Sequence, residues 1–516
     1  MTAVLADIPL EPAGVPRGRA MVERAEWAAR SFATYDIESV RRIAKAAAEA
    51  GERIAGELGE AAVAETGFGV AEHKKLKNVA CSIGIWNTYG DHDYVTPTVH
   101  ADRGIVEVPR PAGVVLALTP STNPVATVFF KIMLALLTRN AIIISPHPFA
   151  KKVCTEAARA MAEAAVAAGA PDGCIQVVEE PSIPLINALM TDERVDVIVA
   201  TGGSAMVRAA YRSGNPAIGV GPGNVPVVVD ATADLIAAAR RIVASKSFDN
   251  SILCTNESVL IVEERAAEAL ATALRREGAY ILEGEEIDRV REIVFAGTAF
   301  NTAWVGKSAR EIAEAAGVKV PASTRILVAP FPLVVPEEAF AHEKLCPVLG
   351  MVTAPSAARC IDAARAVLRI SGAGHSAAIH SEDPPTIMSF AAAVPVLRVS
   401  VNVGNSLGSA GIETNLAPTM TIGTGFFGRS SVGENLEPKH LVNLTRIAYA
   451  SDAPMPDFAS LDPWRAPAGV VPPYPLASNM EGAPVLARPA QPEAELELRE
   501  EIRRLVVEEL REIIKG

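Results

Sequence analysis

The stretches Val114-Val-Leu-Ala-Leu118 and Ala141-Ile-Ile-Ile-Ser145, with Pro124–Thr138 between them, decide the fold. Both short runs are apolar or small throughout, which is how a strand buried on both faces reads, since a half-exposed strand would alternate. The segment between them opens on a proline, suited to a first helical turn, and is apolar on nearly every side. The pattern repeats outward. A helix over Ala150–Ala168 stops at Gly169. Strand Ile175–Val178, helix Pro184–Met190, strand Val197–Ala200, helix Ser204–Tyr211 and strand Val225–Asp230 follow. Strands that alternate with helices in this way predict an α/β fold with a doubly wound parallel sheet. Such sheets bind ligands at the carboxyl ends of their strands.

Further from this centre the signals change. Residues 20–90 read as helical, and Ile37–Ala62 repeats apolar residues every three or four positions. Gly104–Val108 reads as a strand, cut off from Gly113–Leu118 by Pro109 and Pro111. A second α/β series starts near Leu235 and runs to about residue 400, with strands Ser258–Val262 and Arg325–Ala329 and helix Ala357–Leu368. From Pro454 to Pro492 prolines crowd a stretch without periodicity, the composition of a linker. The last stretch, 493–516, reads as an amphipathic helix. Leu498, Ile502, Leu505, Val506, Leu510 and Ile513 lie on one side, with Glu500, Arg503, Arg504, Glu508 and Arg511 opposite.

At 516 residues the chain is too long for a single ordinary core. A net charge of -12 disfavours a nucleic-acid binder, because neutralising phosphates takes an excess of Lys and Arg. The most apolar window, Val125–Leu137, is too short to cross a bilayer and carries Lys131, so it reads as a buried helix and no membrane association is expected. Met1–Pro16 has no signal-peptide pattern. Six cysteines are scattered without metal-type spacing or a disulfide framework, so no metal site is expected and a reducing cytoplasm fits.

Three motifs bear on chemistry. Gly219-Val-Gly221-Pro-Gly-Asn224 looks like a dinucleotide fingerprint with Asn in the third glycine's place, but it precedes a strand and so is not read as a phosphate cradle. Thr201-Gly-Gly-Ser204 follows a strand and opens a helix. Gly202, Gly203 and Ser204 there would favour an anion, although an ordinary strand–helix turn reads the same way. The third motif is Ser247-Phe-Asp-Asn-Ser-Ile-Leu-Cys254-Thr-Asn-Glu257. A single cysteine is more often a small buried hydrophobe than a nucleophile, and the residues alone leave both readings open.

This last segment resembles the active-site segment of the CoA-acylating branch of the aldehyde dehydrogenase superfamily, including the type associated with bacterial microcompartments. Further stretches agree in order over roughly residues 20–450: Thr119-Pro-Ser-Thr-Asn123-Pro, Ser145-Pro-His-Pro-Phe-Ala-Lys-Lys152, Gly219–Pro226, Glu343-Lys-Leu-Cys-Pro-Val-Leu-Gly350, Gly372-Ala-Gly-His375 and Pro418–Leu441. The resemblance implies an aldehyde dehydrogenase fold with a Rossmann-like cofactor-binding domain over 1–232, its strands at 100–113 serving oligomerisation. It further implies a catalytic α/β domain over 233–430 and a second oligomerisation segment over 431–452. A linker over 453–492 and a helix over 493–516 complete the chain, the helix resembling peptides that dock cargo enzymes on a microcompartment shell protein. Coiled-coil self-association, or docking on the enzyme itself, are its alternatives.

The resemblance also implies roles. Cys254 would attack the aldehyde, and the Asn123 side chain with the Cys254 backbone N–H would hold the oxyanion. For Asn123 the plainer role is stabilising the turn before Pro124. Thr119, Pro120, Ser145, His147 and Glu343 would line the nicotinamide cofactor's site, Glu343 holding ribose hydroxyls. NAD is expected, and Ser145, standing where many hydrolytic relatives have a lysine, leaves NADP open. His375 would assist thiol deprotonation or serve structure, and His342 is read as structural. Thr122, Leu253, Thr255 and the Ser406–Ala410 region would form the pocket for a small aldehyde, and Arg398 or Arg429 near it would suit an anionic one. Hydrolytic relatives place a glutamate where this chain has Val220. That substitution favours CoA as acyl acceptor over water, with a hydrolytic enzyme and a non-catalytic scaffold as the alternatives. A homo-oligomer, dimer or tetramer, is implied as well.

Overall fold

The computed structural model describes residues 14–458, 461–467 and 474. Part of the expected linker and the whole of the expected helix over 493–516 lie outside the described residues.

The parallel sheet expected from the opening stretches is present. Its five strands run in the spatial order Ile175–Val177, Ala141–Pro146, Val114–Thr119, Val197–Thr201 and Ala217–Val220. Every neighbouring pair is parallel. The chain begins in the middle, winds outward to one side and then to the other. This places a topological switch point between Val114–Thr119 and Val197–Thr201. Helix Pro124–Leu137 is buried on all sides, which is why it shows no polar face. Phe129 and Phe130 within it are wholly buried, and each such side chain contributes about 1.5–3 kcal/mol. Lys131, the one charge in this helix, donates to the Leu118 carbonyl at 2.7 Å and the Val199 carbonyl at 2.8 Å. Among the described residues no helix is long and apolar enough to cross a membrane.

The second series forms a seven-stranded sheet, in the order Ala279–Ile281, Ile326–Pro330, Val348–Ala354, Glu257–Glu263, Val225–Val229, Ala377–His380 and Val399–Val401. All its pairings are parallel too. Separate apolar clusters fill its two faces. One strand differs from expectation. The sequence reading joins Val225–Asp230 to the first series, whereas Val225–Val229 pairs with Glu257–Glu263 and Ala377–His380 in the second sheet. The four residues Gly221–Asn224 carry the chain across, too few for the helical crossover that a parallel neighbour in the same sheet requires.

A small antiparallel sheet joins Thr98–His100, Ile105–Pro111 and Val442–Ala448. Its middle strand runs through Pro109 and Pro111, where the sequence reading ends it. Thr98–His100 pairs only as far as Glu107, and beyond that point one side of the strand is an edge, where a residue without an N–H is tolerated. Helix Ile37–Thr66 is longer than its expected span. The Asp36 side chain caps its start, and Gly67, in the left-handed region at φ 71°, ends it.

Candidate active site

A cleft of about 330 Å³ lies where the two parallel sheets meet. From the five-stranded sheet it takes loops at the carboxyl ends flanking the switch point: Thr119–Asn123 on one side and Thr201–Gly203 on the other. From the seven-stranded sheet it takes loops at the amino ends. Gly221 and Pro222 precede one strand, Cys254 and Thr255 another, and Glu343 and Leu345 a third. The rule that ligands sit at carboxyl ends thus accounts for half of this cleft.

Of the six cysteines, five are buried and only Cys254 is partly exposed, on the cleft wall. Its approach is unusual. Asp249, Asn250 and Ser251 all take left-handed backbone conformations, at φ 48°, 52° and 60°, a region costly for residues with a β-carbon. Two buried lysines fix this loop. Lys77 and Lys74 donate to Asp249 Oδ2 at 2.5 and 3.2 Å, and the Val70 N–H donates to Asp249 Oδ1 at 2.6 Å. Burial works to raise the Asp249 carboxyl, but the two ammonium groups and this hydrogen bond hold it below its ordinary value.

Glu343 faces the same space. Gly223 lies against the Cys254 loop, where a β-carbon would come 2.0 Å from the Cys254 carbonyl oxygen, with Glu343 Oε1 at an ordinary 3.5 Å. Burial pushes the Glu343 carboxyl up to about 8, against the Gly223 N–H and the charges of Lys246 and Lys344, which lower it. Burial likewise pushes the Cys254 thiol up to about 12, with Glu343 adding to the rise and Arg398 opposing it. Burial thus favours the neutral form of both groups.

Asn123 sits at the N-cap of helix Pro124–Leu137 yet makes no capping bond with its side chain. Its Oδ1 accepts from Lys77, and its Nδ2 lies 3.4 Å from Thr122 Oγ1. Thr122, Asn123, Leu253, Cys254 and Thr255 all line the cleft, as does Val220.

The donor set suits a dinucleotide. Thr119, Pro120, Ser145, His147, Gly202 and Gly203 line the arm of the cleft formed by the first sheet. Ser145 Oγ is buried without a partner, at the end of strand Ala141–Pro146, where a ribose hydroxyl would satisfy it. Nothing lies within 4 Å of a β-carbon built on Gly202 or Gly203, and helix Ser204–Arg212 starts just beyond, its free N–H groups suited to phosphate. His147 Nδ1 accepts from the Phe149 N–H at 3.2 Å, so this histidine also shapes the loop.

Several expected residues are not brought to the cleft wall. His375 is wholly buried, with Nδ1 3.0 Å from Ser376 Oγ, and burial followed by the charge of Arg398 pushes it down to about 3. It is not among the residues that line the cleft, and its Nε2 is buried without a partner. Ser406 is buried against Ser245, 2.8 Å away, and its carbonyl accepts from Thr255 Oγ1. It holds Thr255 in place from behind. Arg398 donates to the Asn435 side chain and to the carbonyls of Gly374, His375, Gly423 and Gly433. Its five N–H groups are thereby used, leaving none for an anionic substrate. Arg429 is exposed, and His342 Nε2 contacts the Pro336 carbonyl at 2.8 Å in a structural role. Lys74, Lys77, Asp249 and Gly223 are the residues that sequence reasoning missed.

Comparison with known proteins follows the same outline. The model of the aldehyde dehydrogenase family matches residues 11–414. The bifunctional aldehyde-alcohol dehydrogenase AdhE of Escherichia coli is 39% identical over 439 residues, covering 84% of this chain and 49% of that protein. The chain thus spans about half the length of that curated relative. An acetylating aldehyde dehydrogenase from Geobacillus thermoglucosidasius superposes with a TM-score of 0.84 at 37% identity, over 86% of this chain and 98% of that one. A propionaldehyde dehydrogenase from Rhodopseudomonas palustris, solved with bound CoA and an acylated cysteine, gives 0.76 at 29% identity, over 84% and 97%. A match of this extent, over two parallel sheets meeting at a cysteine-bearing cleft, means that the chain belongs to the aldehyde dehydrogenase family.

Proposed function

We propose that this chain oxidises a small aldehyde, of about two to four carbons, to its acyl-CoA thioester, with NAD as hydride acceptor and NADP as a possible substitute. The observation that carries this reading is the cleft wall itself. It holds the one partly exposed cysteine, the Asn123 carboxamide and apolar Val220, the position at which the family resemblance puts the glutamate of hydrolytic relatives. Cys254 loses its thiol proton to solvent as Sγ forms the bond to the aldehyde carbon, and the Asn123 amide and Cys254 N–H receive the charge that develops on oxygen. Ser145, Gly202, Gly203 and Glu343 hold the dinucleotide, which when bound supplies the hydride acceptor. Cys254 then keeps the acyl group as a thioester. Among the described residues lining the cleft, Glu343 is the only carboxylate, and burial keeps it protonated near neutrality, so water finds no strong base there. A thiol attacks a thioester readily, which favours CoA. The acylated cysteine and bound CoA of the Rhodopseudomonas palustris relative support this order of events.

Incubation with propionaldehyde and NAD in the absence of CoA tests the mechanism. About one NADH per Cys254 is expected, together with a propionyl group on the Cys254 peptide by mass spectrometry. An unmodified Cys254 peptide would contradict it.

We further propose that the chain forms a dimer or tetramer through the antiparallel sheet. Val442–Ala448 is its unpaired edge, with Leu444 and Ile447 exposed, and such an edge invites pairing. Segment 493–516 would dock the cytoplasmic enzyme on a microcompartment shell protein, a reading supported by the apolar stripe of its sequence.

A further inference from the structure

The buried charges behind the cleft do not balance. Asp249 is paired with two lysines, and all three side chains are almost fully buried, at 0%, 3% and 1% exposure for Asp249, Lys74 and Lys77. One lysine would neutralise the carboxylate, and a second buried cation is costly unless further groups satisfy it. Here each lysine has a second partner, and both partners lie in the oxyanion loop. Lys74 donates to the Thr122 carbonyl at 3.3 Å, and Lys77 donates to Asn123 Oδ1. The two stand one turn apart on helix Ala71–Cys81, so a single helix spans from the nucleophile loop to the oxyanion loop.

The contact of Lys77 has a chemical consequence. An ammonium has three donors and no acceptor, so only the oxygen end of a carboxamide can face it. With Oδ1 held on Lys77, the NH₂ end of Asn123 is turned to the other side, where an oxyanion needs a donor. The ammonium also draws electrons through the amide and sharpens the N–H dipole.

We propose that Lys77 is a positioning residue for the oxyanion amide. It fixes the Asn123 carboxamide with its oxygen held back and its NH₂ presented to the reacting carbonyl, while Asp249 ties the same ammonium to the loop that carries Cys254. The inference rests on the roles given above to Cys254 and Asn123. It does not depend on the identity of the aldehyde or the acyl acceptor.

The test uses the full chain and p-nitrophenyl acetate, an ester that acylates a thiol without NAD or CoA. The bond from sulfur to the acyl carbon forms, nitrophenolate leaves, and the thiol proton passes to solvent. Burst rates are measured for wild type, Asn123→Ala, Lys77→Met and the double variant. Loss of one oxyanion donor slows acylation on the order of a hundredfold, and Lys77→Met is expected to slow it about tenfold or more. The double variant is expected to be no slower than Asn123→Ala, because Lys77 acts through that amide. Alkylation of Cys254 by iodoacetamide builds no oxyanion and is expected to stay within about twofold throughout.

A Lys77→Met burst rate within about twofold of wild type would overturn the proposal. So would losses that multiply in the double variant, or iodoacetamide alkylation that falls in parallel with the burst, since that indicates a collapsed loop. Lys77→Met leaves Asp249 paired with Lys74, so the fold is expected to survive. Should it not, Lys77→Gln enters the same cycle under the same criteria. A non-additive cycle in an enzyme that never turns over aldehyde with CoA would refute the proposed function and leave the positioning role standing.

Discussion

Cys254 and Glu343 both line the cleft, and partial burial raises the pKa of both groups. A carboxyl raised in the folded state binds its proton more tightly there than in the unfolded chain. The stabilisation this brings is full below the ordinary value of 4.5 and is lost as pH rises toward about 8. The urea midpoint of the wild type is therefore expected to fall between about pH 5 and about pH 8 more steeply than that of Glu343→Gln. Parallel profiles would show that Glu343 ionises freely in the empty cleft. At this scale Cys254, Asn123 and Glu343 were legible from motif order, and all three line the cleft. His375 and Ser406 also sit in recognisable stretches, yet their contacts place them behind the wall. The Lys77–Asp249 pair was not legible. Its members lie 172 residues apart, and each alone reads as an ordinary surface charge.

Among elements, strand patterning was the strongest signal. The short, mostly apolar run Ala141–Ser145 reads as a strand covered on both faces, and strand Ala141–Pro146 is buried throughout. The assignment of Val225–Val229 failed because this apolar, parallel strand would suit the centre of either sheet, so its own residues do not tell one sheet from the other. Lys131 shows how a charge can serve an element. Its side-chain nitrogen bridges the Leu118 and Val199 carbonyls of the two switch-point strands. Burial pushes this amine well below its ordinary value. Lys131→Met is expected to lower stability by about 1–3 kcal/mol in urea unfolding, because it leaves two buried strand-end carbonyls without this donor. An unchanged midpoint would mean that those carbonyls find other donors.

For the whole molecule, the doubly wound sheet and the second α/β series were readable in advance, while the way they share one cleft was not. Patterning predicts carboxyl-end loops. Only the structure shows amino-end loops of a second sheet closing the site with Cys254 and Glu343. Residues Met1–Pro473 group as one compact unit, apart from Tyr474–Gly516. A chain ended at Pro473 is therefore expected to keep wild-type turnover while losing co-purification with a shell protein. Retained co-purification would remove the targeting role from the tail. The central claim, acyl transfer from Cys254 to CoA, is tested most directly by NADH formation from two- to four-carbon aldehydes, with and without CoA, for wild type and Cys254→Ala. Sustained turnover that requires both CoA and Cys254 is the predicted result. Sustained turnover without CoA would contradict it and show that water reaches the thioester despite Val220.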